Sequence, residues 1–158
     1  MSRSIGPRLR SYWARLSPLP FGKRLFSVIV GLMAPYSGSI GAIVQELQPG
    51  HGVVTLRERR QVRNHLRSVH AIALANLAEL VTGLTLMNSL PDGMRGILTG
   101  IEMSYLKKAR GQLRAECRCD IPRAGEKAEL RVLGEIRDSD GELVASSVAT
   151  WLVGPEKG

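Results

Sequence analysis

The sequence predicts an α+β fold in which a curved antiparallel sheet wraps around one buried helix. Three patterns carry that expectation. Residues 69–87 are rich in Ala and Leu and apolar on nearly every side of a helix, so that helix belongs inside the domain. After Pro91-Asp92-Gly93 the chain alternates apolar and polar residues in four successive runs, the period of half-buried strands. Two short β-prone runs precede the helix. A sheet with one apolar face needs a cover and an all-round apolar helix needs burial; wrapping one in the other satisfies both. The length of 158 residues suits a single domain, and 44% hydrophobic with 23% charged residues excludes disorder as the main state.

Within residues 1–20, Leu9, Tyr12, Trp13 and Leu16 stand at the i, i+3, i+4, i+7 spacing of an amphipathic helix, which Pro18 and Pro20 end. The apolar stretch 25–33 is too short to span a bilayer, which needs about 20 residues. It also makes a poor signal peptide, because Pro35 and Tyr36 follow it without a small-residue cleavage site, so cytoplasmic residence is expected. Residues 39–47 and 52–61 read as a hairpin around the turn Gln48-Pro49-Gly50-His51. The central helix follows. The four later strands are marked by Ile97, Thr99, Ile101, Met103 and Tyr105; by Leu113, Ala115, Cys117 and Cys119; by Ala128, Leu130 and Val132; and by Leu143, Ala145, Ser147, Ala149 and Trp151. Turn residues at 107–111, 121–125 and 138–141 separate them. The division expected is a helical arm over 1–37, lying largely outside the core, and a compact domain over 38–158.

Lys and Arg number 22 against 14 acids, a net charge of +8 that favours polyanionic partners: nucleic acid, anionic lipid or a phosphorylated ligand. Arg3, Arg8, Arg10, Arg15, Lys23 and Arg24 fall in the first 35 residues with no acid among them, so the basic character is largely N-terminal. With 4% aromatics and no recognition helix or stacking motif, the chain lacks the usual means of reading bases, and no nucleic acid partner is expected. Trp13 and its arginines leave two uses for the arm: peripheral contact with an anionic membrane, or packing against the domain or a second copy. Cys117 and Cys119, two apart on a strand, share a face and cannot staple distant segments. With no second Cys cluster or spaced His pair, they read as packing residues in a reducing compartment, and neither a metal nor a cofactor is expected.

The central helix carries His70 at its start and Asn76 and Glu79 within. A carboxylate among Leu77, Ala78, Leu80 and Val81 is costly unless it is paired, neutralised or beside a pocket. At 100° per residue, Asn76, Glu79, Thr82 and Gly83 form one polar seam that can line a cleft. An internal salt bridge from one of the many arginines is the competing reading for Glu79. Ahead of the helix, Arg63-Asn64-His65-Leu66-Arg67-Ser68-Val69-His70-Ala71 leaves backbone N–H groups at His70, Ala71 and Ile72 that can together hold an oxyanion. Equally, Ser68 reads as an N-cap, Asn64 as a turn residue and His70 as a satisfied core histidine. Nine residues separate His70 from Glu79, about 13.5 Å along a helix, too far for both to touch one carbonyl, so cooperation requires two chains.

The constellation Asn64-x5-His70-x8-Glu79, followed by the helix and by Gly100-Ile101-Glu102-Met103-Ser104-Tyr105-Leu106-Lys107-Lys108-Ala109-Arg110-Gly111, resembles hotdog-fold acyl-CoA thioesterases of the phenylacetate-pathway type. It is most similar to a bacterial branch of unknown function, over roughly residues 38–153. The resemblance implies a hotdog fold, a homodimer or dimer of dimers, and hydrolysis of acyl-CoA to free acid and CoA at sites shared between subunits. It places the helix carboxylate on Glu79 as general base or nucleophile, the loop Asn on Asn64, the loop His on His70, and the carbonyl-polarising N–H on Ala71. The family often has Gly where Arg67 and Ala71 stand here, and Asp where Glu79 stands. Asn76, Thr82 and Gly83 are then candidates for the acyl site, and Lys107, Lys108 and Arg110 for the CoA phosphates. The alternative is a hotdog module that binds acyl-CoA or fatty acyl groups without turning them over.

Overall fold

The computed structural model describes residues 4–156. Its order is α1 (Gly6–Leu16), α2 (Gly22–Met33), the short α3 (Pro35–Gly38), β1 (Ile43–Gln48), β2 (His51–Arg57), a single 3-10 turn (Arg60–Val62), α4 (Ala71–Ser89), β3 (Met94–Tyr105), β4 (Gln112–Arg118), β5 (Ala128–Arg137) and β6 (Leu143–Pro155). The six strands form one sheet in the order β1-β2-β4-β5-β6-β3, every pair antiparallel. Register shifts between Val44 and Glu46, Leu98 and Gly100, and Ile136 and Arg137 bend the sheet around α4. This is the hotdog fold, with α4 as its core.

Inward positions alternate as the strand period requires. Leu113, Ala115 and Cys117 on β4, Val132 and Ile136 on β5, and Ala145, Ala149, Trp151 and Val153 on β6 are buried with Leu74, Leu77, Val81 and Leu86 of α4. Trimming a side chain as enclosed as Leu77 costs about 2–5 kcal/mol. Cys117 and Cys119 are free thiols, the first buried and the second half-buried. Two glycines let α4 lie close to the sheet: a Cβ at Gly52 would come within 2.2 Å of Thr85 Oγ1, and one at Gly134 within 2.7 Å of Ser147 Oγ and 3.1 Å of Thr82 Cγ2.

Residues 4–37 do not stand apart from this core. Leu9 of α1 and Phe26 and Val30 of α2 belong to the same buried cluster as α4 and the sheet. Trp13 packs edge-on against Phe26 with ring centroids 4.9 Å apart, so its ring faces the domain. The Arg10 guanidinium caps the C-terminal end of α4 by donating to the carbonyls of Asn88 and Leu90, at 3.1 and 3.0 Å, and pairs with Asp92. The apolar stretch 25–33 is a helix whose one side, with Phe26 and Val30, is buried in the core, packed against α1, α3 and β1.

Candidate active site

Glu79 sits midway along α4, on the side of the helix that the sheet leaves uncovered. Ile72, Ala75, Glu79 and Met87 are the partly open positions there, at near-helical spacing. The Glu79 carboxylate has no ion pair among the described residues; its partner is the Ser37 hydroxyl, which donates to Oε2 at 3.4 Å. Burial pushes the carboxyl above its ordinary range, and the Ser37 hydrogen bond opposes this more weakly. Beside it lies an apolar cavity of about 170 Å³, lined among others by Leu9, Val30, Met33, Ser37, Gly83 and Trp151. The salt bridge that competed for this residue in the sequence is absent among the described residues.

The segment before α4 is a tight loop built around Asn64. Its side-chain oxygen accepts from the Leu66 and Ser68 backbone N–H groups, at 2.9 and 3.2 Å, and from the Ser68 hydroxyl at 3.2 Å, while the Asn64 N–H donates to the Ser68 carbonyl. Asn64 is therefore a turn residue whose side-chain Nδ2 makes no hydrogen bond among the described residues. Arg67 occupies the left-handed region at φ 55, a conformation glycine adopts without strain. Glu58 ties the loop down by accepting from Gly111 N–H and Arg63 Nε, and the Gly111 hydrogen bond is the main reason its carboxyl is held below the usual range.

His70, not Ser68, is the N-cap of α4. It is exposed, and its Nδ1 accepts from Ile72 N–H at 3.1 Å, which leaves the ring proton on Nε2. His70 N–H donates to the Val62 carbonyl. Of the three amides expected to hold an oxyanion, two are thus occupied, and Ala71 N–H is the one left without a partner among the described residues. Ala71 shares a concavity of about 250 Å³ with Asn64, Lys107 and Lys108.

The other predicted residues divide. His70 and Asn76 share a different groove, where Asn76 Nδ2 donates to the Tyr36 carbonyl at 3.0 Å and its buried Oδ1 is unpaired among the described residues. Gly83 lines the Glu79 cavity, where a Cβ would meet the Trp151 ring at 3.2 Å and Glu79 Oε1 at 3.4 Å. Thr82 does not join the seam: it points at the sheet beside Gly134, fully buried, its hydroxyl returned to the Ala78 and Glu79 carbonyls. Three residues on from Glu79 is about 60° around the axis, enough to turn it from open side to sheet side. Lys107 is held by Asp138 and Glu142, which raise its pKa. Arg110 Nε donates to the Arg67 carbonyl, and Lys108 has no ion pair among the described residues. Within one chain, then, Glu79 lies in one hollow and the Asn64–Ala71 loop in another.

Two features of the Glu79 hollow were not foreseen: Ser37, 42 residues away in sequence, and Trp151, whose buried Nε1–H has no acceptor among the described residues. Trp151 carried a signal, since it alternates inward on β6; Ser37 carried none.

Comparison with known proteins decides the family. Residues 22–153 match a family described as a domain of unknown function (DUF4442). The chain belongs to that family, within the hotdog thioesterase superfamily. A solved structural-genomics protein is 34% identical, with a TM-score of 0.80 over 94% of this chain and 98% of that one. A Pseudomonas aeruginosa protein titled "Probable Thioesterase" is 27% identical, with a TM-score of 0.75 over 87% and 97% of the two chains. A Ralstonia eutropha protein named "putative thioesterase, phenylacetic acid degradation-related protein" is 25% identical, with a TM-score of 0.64 over 75% and 89% of the two chains. No curated protein matches the chain. This DUF4442 protein thus shares its fold with proteins titled thioesterases, and thioester hydrolysis is the activity the family relationship suggests.

Proposed function

We propose that this DUF4442 protein hydrolyses acyl-CoA thioesters at two equivalent sites, each assembled from two copies of the chain. The observation that carries the reading is the state of Glu79: a half-buried carboxylate with raised pKa, no cation paired to it among the described residues, and an apolar cavity beside it. In a protein that only folds, such a group costs stability and returns nothing; beside a thioester it is a base of suitable strength.

Water adds to the thioester carbonyl as Glu79 takes its proton, the C–S bond breaks, and the proton passes to the departing CoA thiolate; free acid and CoA are the products. Direct attack by Glu79, giving a mixed anhydride that water then opens, yields the same products. Ala71 N–H, with Asn64 Nδ2 or His70 Nε2, donates to the carbonyl oxygen as negative charge develops there. The acyl group occupies the cavity by Gly83 and Trp151, and Lys108 and Arg110 hold the CoA phosphates.

Two chains are needed because each keeps Glu79 and the loop amide in separate hollows. The twelve-residue strand β3 supports the pairing: it is an edge of the sheet, with Ile97, Ile101 and Tyr105 exposed along it, and an open edge of that length is a ready template for a second copy. The test mixes two inactive variants, E79Q and N64D. Subunit exchange makes half the dimers mixed, each with one intact site, so about a quarter of wild-type CoA release returns. A mixture as inactive as its components refutes the shared site. Arg67 and Ala71, at positions where the resembling family often has Gly, favour a second reading, acyl-CoA binding without turnover; wild-type protein that binds acyl-CoA and releases no CoA across short, long and aryl substrates would establish it.

A further inference from the structure

Helix α2 is apolar on both sides, and only one side is used. Gly22, Phe26 and Val30 face the core and are buried. Leu25, Val28 and Leu32 face outward at i, i+3, i+7 and are exposed, and Leu32 leaves 75% of its surface in water. Phe21, one position before the helix, extends the stripe and is 79% exposed. Leu19 and Tyr36 flank it, also exposed.

Phe21 sharpens the case. It sits at φ 61, the left-handed region that a bulky residue enters only under strain, and with its ring in solvent it recovers little of that strain from the fold. Positive charge accompanies the stripe: Arg24 lines the same groove as Val28 and Leu32, Arg8 and Arg15 of the preceding helix are exposed too, and the sequence has no acid before Glu46. A second copy laid face to face would bring these like charges together, whereas an anionic surface complements them. The same side opens into an apolar groove of about 480 Å³ lined in part by Arg24, Val28, Gly31 and Leu32, so apolar surface continues inward from the stripe.

We propose that the outward side of α2 docks on an anionic lipid bilayer, with Phe21, Leu25, Val28 and Leu32 entering the boundary between headgroups and acyl chains and the surrounding arginines on lipid phosphates. Trp13, for which the sequence leaves membrane contact and packing both open, is turned toward Phe26 in the core; α2 carries the contact.

The test is co-sedimentation of the full chain with phosphatidylcholine vesicles made with and without phosphatidylglycerol. The wild type pellets with the anionic vesicles, stays in solution with the neutral ones, and is released by salt. F21N/L25S lowers the partition coefficient at least about tenfold, because two large apolar side chains leave the boundary. Asn suits the left-handed position, so this variant stays folded, and thermal melting verifies that. R15E/R24E weakens binding through charge alone. The proposal is overturned if the wild type ignores anionic vesicles at low salt, if F21N/L25S partitions like the wild type, or if that variant changes oligomeric state and not vesicle binding, which would make the surface a contact between copies. CoA release from a soluble short-chain substrate, measured on the same variant, keeps this outcome separate from any failure of the hydrolase reading.

Discussion

Replacing Glu79 with Gln separates chemistry from folding. The two side chains have nearly the same shape, Ser37 stays within reach, and the cavity walls are untouched, so what is lost is the ability to accept a proton or attack a carbonyl. A general base contributes about 100- to 10,000-fold, which is about 2.7–5.4 kcal/mol at 1.36 kcal/mol per tenfold. CoA release followed with a thiol reagent under saturating acyl-CoA should fall by that factor while KM changes little. Stability should move the other way. A carboxyl with a raised folded-state pKa binds more protons when folded than when unfolded, between its ordinary value of 4.5 and its raised value. Wild-type stability therefore falls as pH rises through that window and stays lowered above it. E79Q lacks this penalty, so it should be more stable than wild type at neutral pH, with an advantage that disappears below 4.5. Denaturant titrations at acid and neutral pH measure it. Turnover within about threefold of wild type, or a stability difference that does not depend on pH, would refute the reasoning.

At Asn64, Asp retains the oxygen that accepts from Leu66 and Ser68 but removes the Nδ2 donor: N64D should melt near wild type and lose about 100-fold in kcat, whereas N64A should also lose about 1–3 kcal/mol of stability with the loop clamp. R67G relieves the left-handed backbone, less the entropy glycine adds to the unfolded chain, so it should gain up to about 1 kcal/mol in denaturant titration; if the long side chain narrows the approach to Ala71, it should also lower KM.

The fold was legible because its signals are local. Alternation marked β3 to β6, all-round apolarity marked α4, and the turn residues between the later strands lie where Gly111, Gly125 and Gly141 take positive φ. The site was legible only in part. Glu79 announces itself because a carboxylate within an apolar helix has few cheap explanations. Thr82 misled because a 100° step places it near the seam, while a threonine can satisfy its hydroxyl on its own helix and face the sheet. His70 stands at the helix start but gives its Nδ1 to the cap, a choice set by backbone geometry that residue spacing does not encode. Ser37 and the core-facing side of α2 depend on contacts tens of residues apart, where sequence pattern carries no pairing information.

The grip of Arg10 on the last turn of α4 changes where the folding unit begins. The family match starts at residue 22, yet a protein trimmed to that point would expose two peptide oxygens at the tail of its core helix, strand Asp92, and strip Leu9 from the wall of the Glu79 hollow. The opening helix is a keystone, and pruning it would unsettle the very carboxylate that an engineer shortening the chain would hope to preserve.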